Sequence, residues 1–246
     1  MTAVMTLPRS RFWLATVIFV IATWLGAGTL LVLQPYVHLD PELLMLTQFG
    51  PTIGVLAAIG LLAKDSQQGT KNALVRAGVG AGIVVALFGV CAAALALAGQ
   101  PLHLAIPEQF WLIAPLQLIG ACGEELGWRT FLQRHLQTRF SMIVSAVIVG
   151  VLWSTWHIQY YAFGPAFFLS FVTMSVAVSL IMAVLVRGTS RRGSLLVAGV
   201  FHWLLNLGIL ILLNFEQGGL RNMLILAASS VVIAAVVVGG NRQVTR

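Results

Sequence analysis

Residues 111–133 read WLIAPLQLIGACGEELGWRTFLQ, an apolar run with Glu124, Glu125 and Arg129 set into it. A helix needs roughly 20 predominantly apolar residues to cross about 30 Å of hydrocarbon, so this run is of membrane-crossing length. At 1.5 Å per residue, Glu124 lies roughly 15 Å from the run's basic end. Ionisable groups at that depth are costly and mark function or a deliberate ion pair. Glu125 and Arg129 stand four apart, in the favourable acid-before-base order, and are read as a structural pair. Adjacent positions on a helix point about 100° apart, which leaves Glu124 free to face a polar cavity as a general base or metal ligand.

Working outward, the same apolar texture fills the chain. Hydrophobic residues make up 59% of the 246, charged residues only 9%, and the mean hydropathy is +0.95. This composition excludes an ordinary soluble domain. Apolar runs at Phe12 to Leu33, Leu43 to Ala63, Ala77 to Ala98, Trp111 to Gln133, Met142 to Ala162, Ala166 to Val186, Leu195 to Leu213 and Met223 to Val238 predict an all-α, polytopic membrane protein of about eight transmembrane helices. They form a single domain over residues 1–246, with no room for a soluble one.

Charge placement orients these spans. Arg9 and Arg11 precede the first; Lys64, Lys71 and Arg76 follow the second; Arg134 and Arg139 follow the fourth; Arg187, Arg191 and Arg192 follow the sixth; Arg242 and Arg246 follow the eighth. The intervening loops hold Asp40, Glu42, Glu108 and Glu216, with Arg221 as the basic exception. Positive residues gather in cytoplasmic loops, so both termini are expected in the cytoplasm and the chain in the plasma membrane as a multi-pass protein. The formal charge of +7 therefore reports orientation, and no nucleic-acid partner is expected. The first run lacks a clear cleavage site and is read as a retained anchor. Cys91 and Cys122 fall inside spans, where burial rather than a disulfide is the default. The glycines at 26 and 28 and at 78, 80 and 82 suggest close helix packing.

Two further polar clusters share this setting. In Trp153-Ser154-Thr155-Trp156-His157, an indole and an imidazole lie one turn apart. Histidine titrates near neutral pH and holds a water or a metal, while the aromatic walls a groove. Counting from Ser141, His157 lies nearer the outer boundary than Glu124, a gap that tilt or a longer helix must close. In Phe201-His202-Trp203-Leu204-Leu205-Asn206, His202 and Asn206 share a helix face. Such a pair suits either an interhelical hydrogen bond or donation to an oxyanion on a scissile carbonyl.

Taken together, Glu124-Glu125-x-x-x-Arg129, Trp153-x-x-x-His157 and His202-x-x-x-Asn206 resemble, in order and context, the motifs of the CPBP intramembrane proteases. That family includes the CAAX prenyl endopeptidases and bacterial Abi proteins. The resemblance covers about residues 110–210; its second motif usually begins with Phe, where this chain has Trp153. It implies peptide-bond hydrolysis within the membrane, on a prenylated, lipidated or otherwise membrane-associated substrate. Glu124 and His157 would activate water, His202 and Asn206 would stabilise the oxyanion, and Glu125 with Arg129 would brace the site. Either a metal-free glutamate mechanism or a zinc ion on Glu124, His157 and His202 fits that set. Trp128, Trp153, Trp156 and Trp203 are candidates to wall the substrate groove. Cys122 points about 200° from Glu124 and is a poor nucleophile candidate. Two other classes keep ionisable groups at mid-bilayer. One is a catalytically silent scaffold or immunity protein; the other is a proton-coupled transporter, which would more often show inverted repeats or matching broken helices.

Overall fold

The computed structural model describes residues 8–61, 71–100, 104–213 and 219–241; Lys64, Glu216, Arg242 and Arg246 lie outside them. All regular structure among the described residues is helical. We label the helices α1 (Arg9–Leu33), α2 (Gly50–Ala58), α3 (Ala73–Leu97), α4 (Phe110–Gly127), α5 (Met142–Trp156), α6 (Pro165–Val186), α7 (Arg191–Leu212) and α8 (Leu220–Gly240). Beyond Gly127, α4 widens into a π-helical stretch, Trp128–Gln133, and closes with a last turn, Arg134–Leu136.

Among the described residues, five helical segments are long and apolar enough to cross a membrane: Arg9–Val37, Ala73–Leu97, Pro165–Val186, Arg191–Leu212 and Leu220–Gly240. The second and fifth runs are shorter in the structure than in the sequence. The described part of the second run, Leu43 to Leu61, resolves into a 3₁₀ turn at Leu46–Phe49, α2, and a second turn at Ile59–Leu61, with Pro51 in the first turn of α2, where its missing N–H is harmless; Ala63 lies outside the described residues. The fifth run stops being α-helical at Trp156 and continues as a 3₁₀ segment, Ile158–Phe163.

Helix starts follow the sequence's polar punctuation. Asn72 Oδ1 accepts from the backbone N–H groups of Leu74 and Val75, Ser141 Oγ from Val144 and Ser190 Oγ from Gly193, each satisfying a donor that a helix N-terminus leaves free. α6 is the central helix: 72% of its apolar window is buried, with α5, α7 and α8 packed around it. Gly150 of α5 approaches it so closely that a Cβ would lie 2.7 Å from the Val176 Cα. Beside that contact the Ser179 hydroxyl donates to the Ala146 carbonyl at 2.8 Å. Small residues and hydroxyl bonds of this kind hold helices together where lipid removes the hydrophobic drive between them.

Basic residues collect at one end of the bundle. Arg76 Nη1 donates to the carbonyls of Val184 and Leu185 at 3.0 and 2.7 Å, and Arg134 Nη1 donates to the Thr189 carbonyl at 3.0 Å. The Arg139 guanidinium sits 5.0 Å from the centre of the Phe12 ring. These contacts bring together the starts of α1, α3 and α7 and the ends of α4 and α6. Burial, followed by the charges of Arg76 and Arg187, lowers the Lys71 pKa at the same end. At the opposite end, the Gln34 amide binds the carbonyls of Leu39 and Leu44, and the Ala105 N–H donates to Ile211. Asp40, Glu42 and Glu108 belong to these connections.

Of the glycines read as packing points, Gly26 meets Ile53 closely, whereas a Cβ at Gly28, Gly78 or Gly82 would find nothing within 4 Å. Those three face open space. Gly80 meets Leu185 and Phe201 at ordinary contact distance, and further tight approaches lie on α4, where Gly120, Gly123 and Gly127 receive Gln48, Phe49 and Pro51.

Candidate active site

That glycine edge of α4 builds the site's first wall. With no Cβ at Gly120 or Gly123, the 3₁₀ turn Leu46–Phe49 lies directly on the helix, and Thr52 Oγ1 donates to the Gly123 carbonyl at 2.7 Å. The buried Gln48 Nε2 then reaches Glu124 Oε1 at 3.4 Å. Gln48 has no part in the three motifs; its only sequence signal is a lone amide in an apolar run.

The other oxygen of Glu124 accepts from the indole N–H of Trp153 at 2.8 Å. Trp153 therefore binds the carboxylate rather than merely walling a groove. Its ring also meets the edges of His157 and His202, at centroid separations of 5.9 and 5.1 Å, and the Arg129 guanidinium lies 4.5 Å from its centre. One side chain thus touches a residue from each motif.

Glu125 and Arg129 form the ion pair read from their spacing. Glu125 Oε1 accepts from Arg129 Nη1 at 2.9 Å and from His202 Nδ1 at 2.8 Å, all three groups buried. The His202 contact adds to the pair read from sequence and dictates the ring's proton: Nδ1 is the donor, so Nε2 is the nitrogen left for the cavity. His202 is consequently tied to α4 by Glu125 as well as sharing a face with Asn206.

His157 lies beyond the helix. Trp156 ends α5, and His157 has φ −81° and ψ 69°, so the ring turns back and Nδ1 donates to the Trp153 carbonyl at 2.8 Å. The α-helix stops short of His157 instead of running past it, and the folded-back residue shares a cavity with Glu124. Tyr160 runs parallel to the imidazole at 5.8 Å and Phe171 meets it edge-on at 5.0 Å. With Nδ1 donating, a neutral His157 keeps its Nε2 lone pair available.

Glu124, His157, His202 and Asn206 all line one cavity of about 860 Å³, together with Gln48, Gln117, Trp153, Trp156 and Tyr160. Glu125 and Arg129 lie behind its wall. Trp128 and Trp203, read as groove candidates, do not line it: Trp128 is buried against Phe19 and Trp156, and Trp203 Nε1 donates to the Ala114 carbonyl at 2.7 Å. Cys122 packs toward Gly199 on α7 and is likewise outside the lining. Among the described residues no group of three His, Cys, Asp or Glu side chains is arranged to hold a metal ion. His157 and His202 each spend Nδ1 on a protein acceptor and keep Nε2 for the cavity, an arrangement that suits a held water and a metal ligand alike.

The family model for type II CAAX prenyl endopeptidase, Rce1-like proteins matches residues 105–208, a stretch that includes every motif residue. Over 107 residues the chain is 33% identical to CAAX prenyl protease 2 of Methanococcus maripaludis, covering 37% of each protein. Over 128 residues it is 25% identical to Lysostaphin resistance protein A of Staphylococcus aureus, covering 52% of this chain and 30% of that one. The chain thus spans well under half the length of these curated relatives. The similarity is confined to residues 105–208, which hold the acid pair, both histidines and Asn206, and over that stretch the chain resembles the Rce1-like CAAX prenyl endopeptidases.

Proposed function

We propose that the chain is an intramembrane endopeptidase that hydrolyses a peptide bond of a membrane-associated or lipidated polypeptide. The observation that carries this reading is the convergence of Glu124, His157, His202 and Asn206, from α4, the end of α5 and α7, on one cavity. Packing alone gives no reason for four polar groups from three places to share a void rather than pair with one another.

Glu124 and the Nε2 of His157 hold a water between them, and Glu124 takes its proton as the oxygen attacks the scissile carbonyl. Charge then develops on the carbonyl oxygen, where the Asn206 amide and His202 Nε2 donate to it. Because Nδ1 of His202 is committed to Glu125, donation from Nε2 requires the imidazolium form. The Glu125 carboxylate offsets that charge, with Arg129 holding the carboxylate in place. Glu124 finally returns its proton to the leaving nitrogen. Donors fixed in this way require no reorganisation during reaction, which is the main source of their effect in a site with little water.

No step of this reading needs a metal. Cleavage is expected to persist after verified removal of divalent metals with a chelator. The decisive experiment is Glu124→Gln, which preserves shape: cleavage of a membrane-protein reporter should vanish while membrane insertion and thermal stability stay near wild type. Unchanged cleavage would overturn the reading and favour a silent scaffold. Names of relatives extend the substrate question to prenylated proteins, since one is called a CAAX prenyl protease.

A further inference from the structure

The cavity is one-sided along the bundle. From α1 it takes Trp24, Ala27, Gly28 and Leu31, all in the half remote from Arg9; from α4 nothing beyond Glu124; from α7 nothing before His202. α6 contributes Phe171 and Met174, near its start, and Arg187 lies past its other end. The outer lining is formed by Pro41 and Glu42 before α2, Ile106 and Pro107 before α4, and Ile158 after α5, of which Pro41, Glu42, Ile106 and Ile158 are exposed. Toward the basic end the site is closed by Trp128, Arg129, Leu132 and Leu136, each at most 1% exposed.

The opposite pole carries Arg9, Arg11, Lys71, Arg76, Arg134, Arg139, Arg187, Arg191 and Arg192. Short loops rich in Lys and Arg are retained on the cytoplasmic side during insertion. The pole that opens and the pole that is held inside are different ends of the molecule.

We propose that the cavity is entered from the non-cytoplasmic face of the membrane, and that its substrate is a polypeptide segment inserted in or adsorbed on the outer leaflet. A lipidated tail confined to the cytoplasmic leaflet would meet Arg134, Arg139 and the closed floor of the site instead of the opening. Cleavage of that segment rests on the endopeptidase reading above; the direction of access does not.

The test is chemical labelling of single cysteines in the full chain. Glu42→Cys and Gln159→Cys lie on the cavity lining and Arg192→Cys on the exposed basic end. Each is made in a Cys91→Ala, Cys122→Ala background and again in the native background, where Cys91 is buried and Cys122 packs toward Gly199. In right-side-out membrane vesicles, a membrane-impermeant maleimide is expected to label positions 42 and 159 at once and position 192 only after permeabilisation. Labelling of 192 alone before permeabilisation, or of all three together, would overturn the proposal. Either result leaves the endopeptidase reading standing, because Glu124→Gln tests that separately.

Discussion

The indole N–H of Trp153 donates to the Glu124 carboxylate at 2.8 Å, so the aromatic that opens the second motif is wired to the acid of the first. A hydrogen bond to a charged group contributes about 1.5–3 kcal/mol. Trp153→Phe keeps a ring between His157 and His202 but removes the donor. Cleavage is expected to fall roughly 10- to 100-fold, the equivalent of that energy, with the melting temperature lowered by only several degrees. Loss confined to KM would mean instead that Trp153 binds substrate.

The buried triad of Glu125, Arg129 and His202 predicts a different pattern from Glu124. Removing one partner of a buried ion pair leaves a bare charge and costs about 3–5 kcal/mol. Glu125→Gln should therefore lower both the amount of folded protein and its melting temperature, unlike Glu124→Gln. Combining Glu125→Gln with Arg129→Met should recover much of the stability and none of the activity, because His202 still lacks its carboxylate. Thermal denaturation in detergent, run beside a cleavage assay, separates the two effects.

Glycine packing on α4 offers a third test. A Cβ at Gly127 would fall within 3 Å of the Pro51 backbone, whereas one at Gly28 would meet nothing within 4 Å. Overpacking of this kind typically costs about 1–3 kcal/mol. Gly127→Ala should lower the melting temperature clearly and Gly28→Ala should leave it unchanged. Equal behaviour of the two would contradict the close approach of α2 to α4.

Much of this was legible from residue pattern. The long apolar runs became α1, α3, α6, α7 and α8, because length and hydropathy are properties of a segment by itself. The Glu125–Arg129 pair followed from helical spacing for the same reason. What escaped depends on neighbours. Periodicity says which residues share a face but not what that face meets, so Gly78 and Gly82 looked like packing points and Gly120 did not. Gln48 reaches Glu124 from 76 residues away, and no local pattern encodes that approach. The breaks at Pro51 and His157 come from backbone geometry that an apolar run conceals.

Asn206 gives the sharpest test of the oxyanion role, since it lines the cavity and is not engaged in the ion pair that braces His202. Asn206→Leu keeps the volume and removes the amide donor. Removing one preorganised oxyanion donor costs about 10²–10³ in kcat. A donor used only as charge develops should leave KM nearly untouched, because it contributes to the transition state and not to substrate binding. A variant with normal kcat and raised KM would reassign Asn206 to substrate positioning. A large drop in melting temperature would show that it holds helices together, and the oxyanion would then depend on His202 alone.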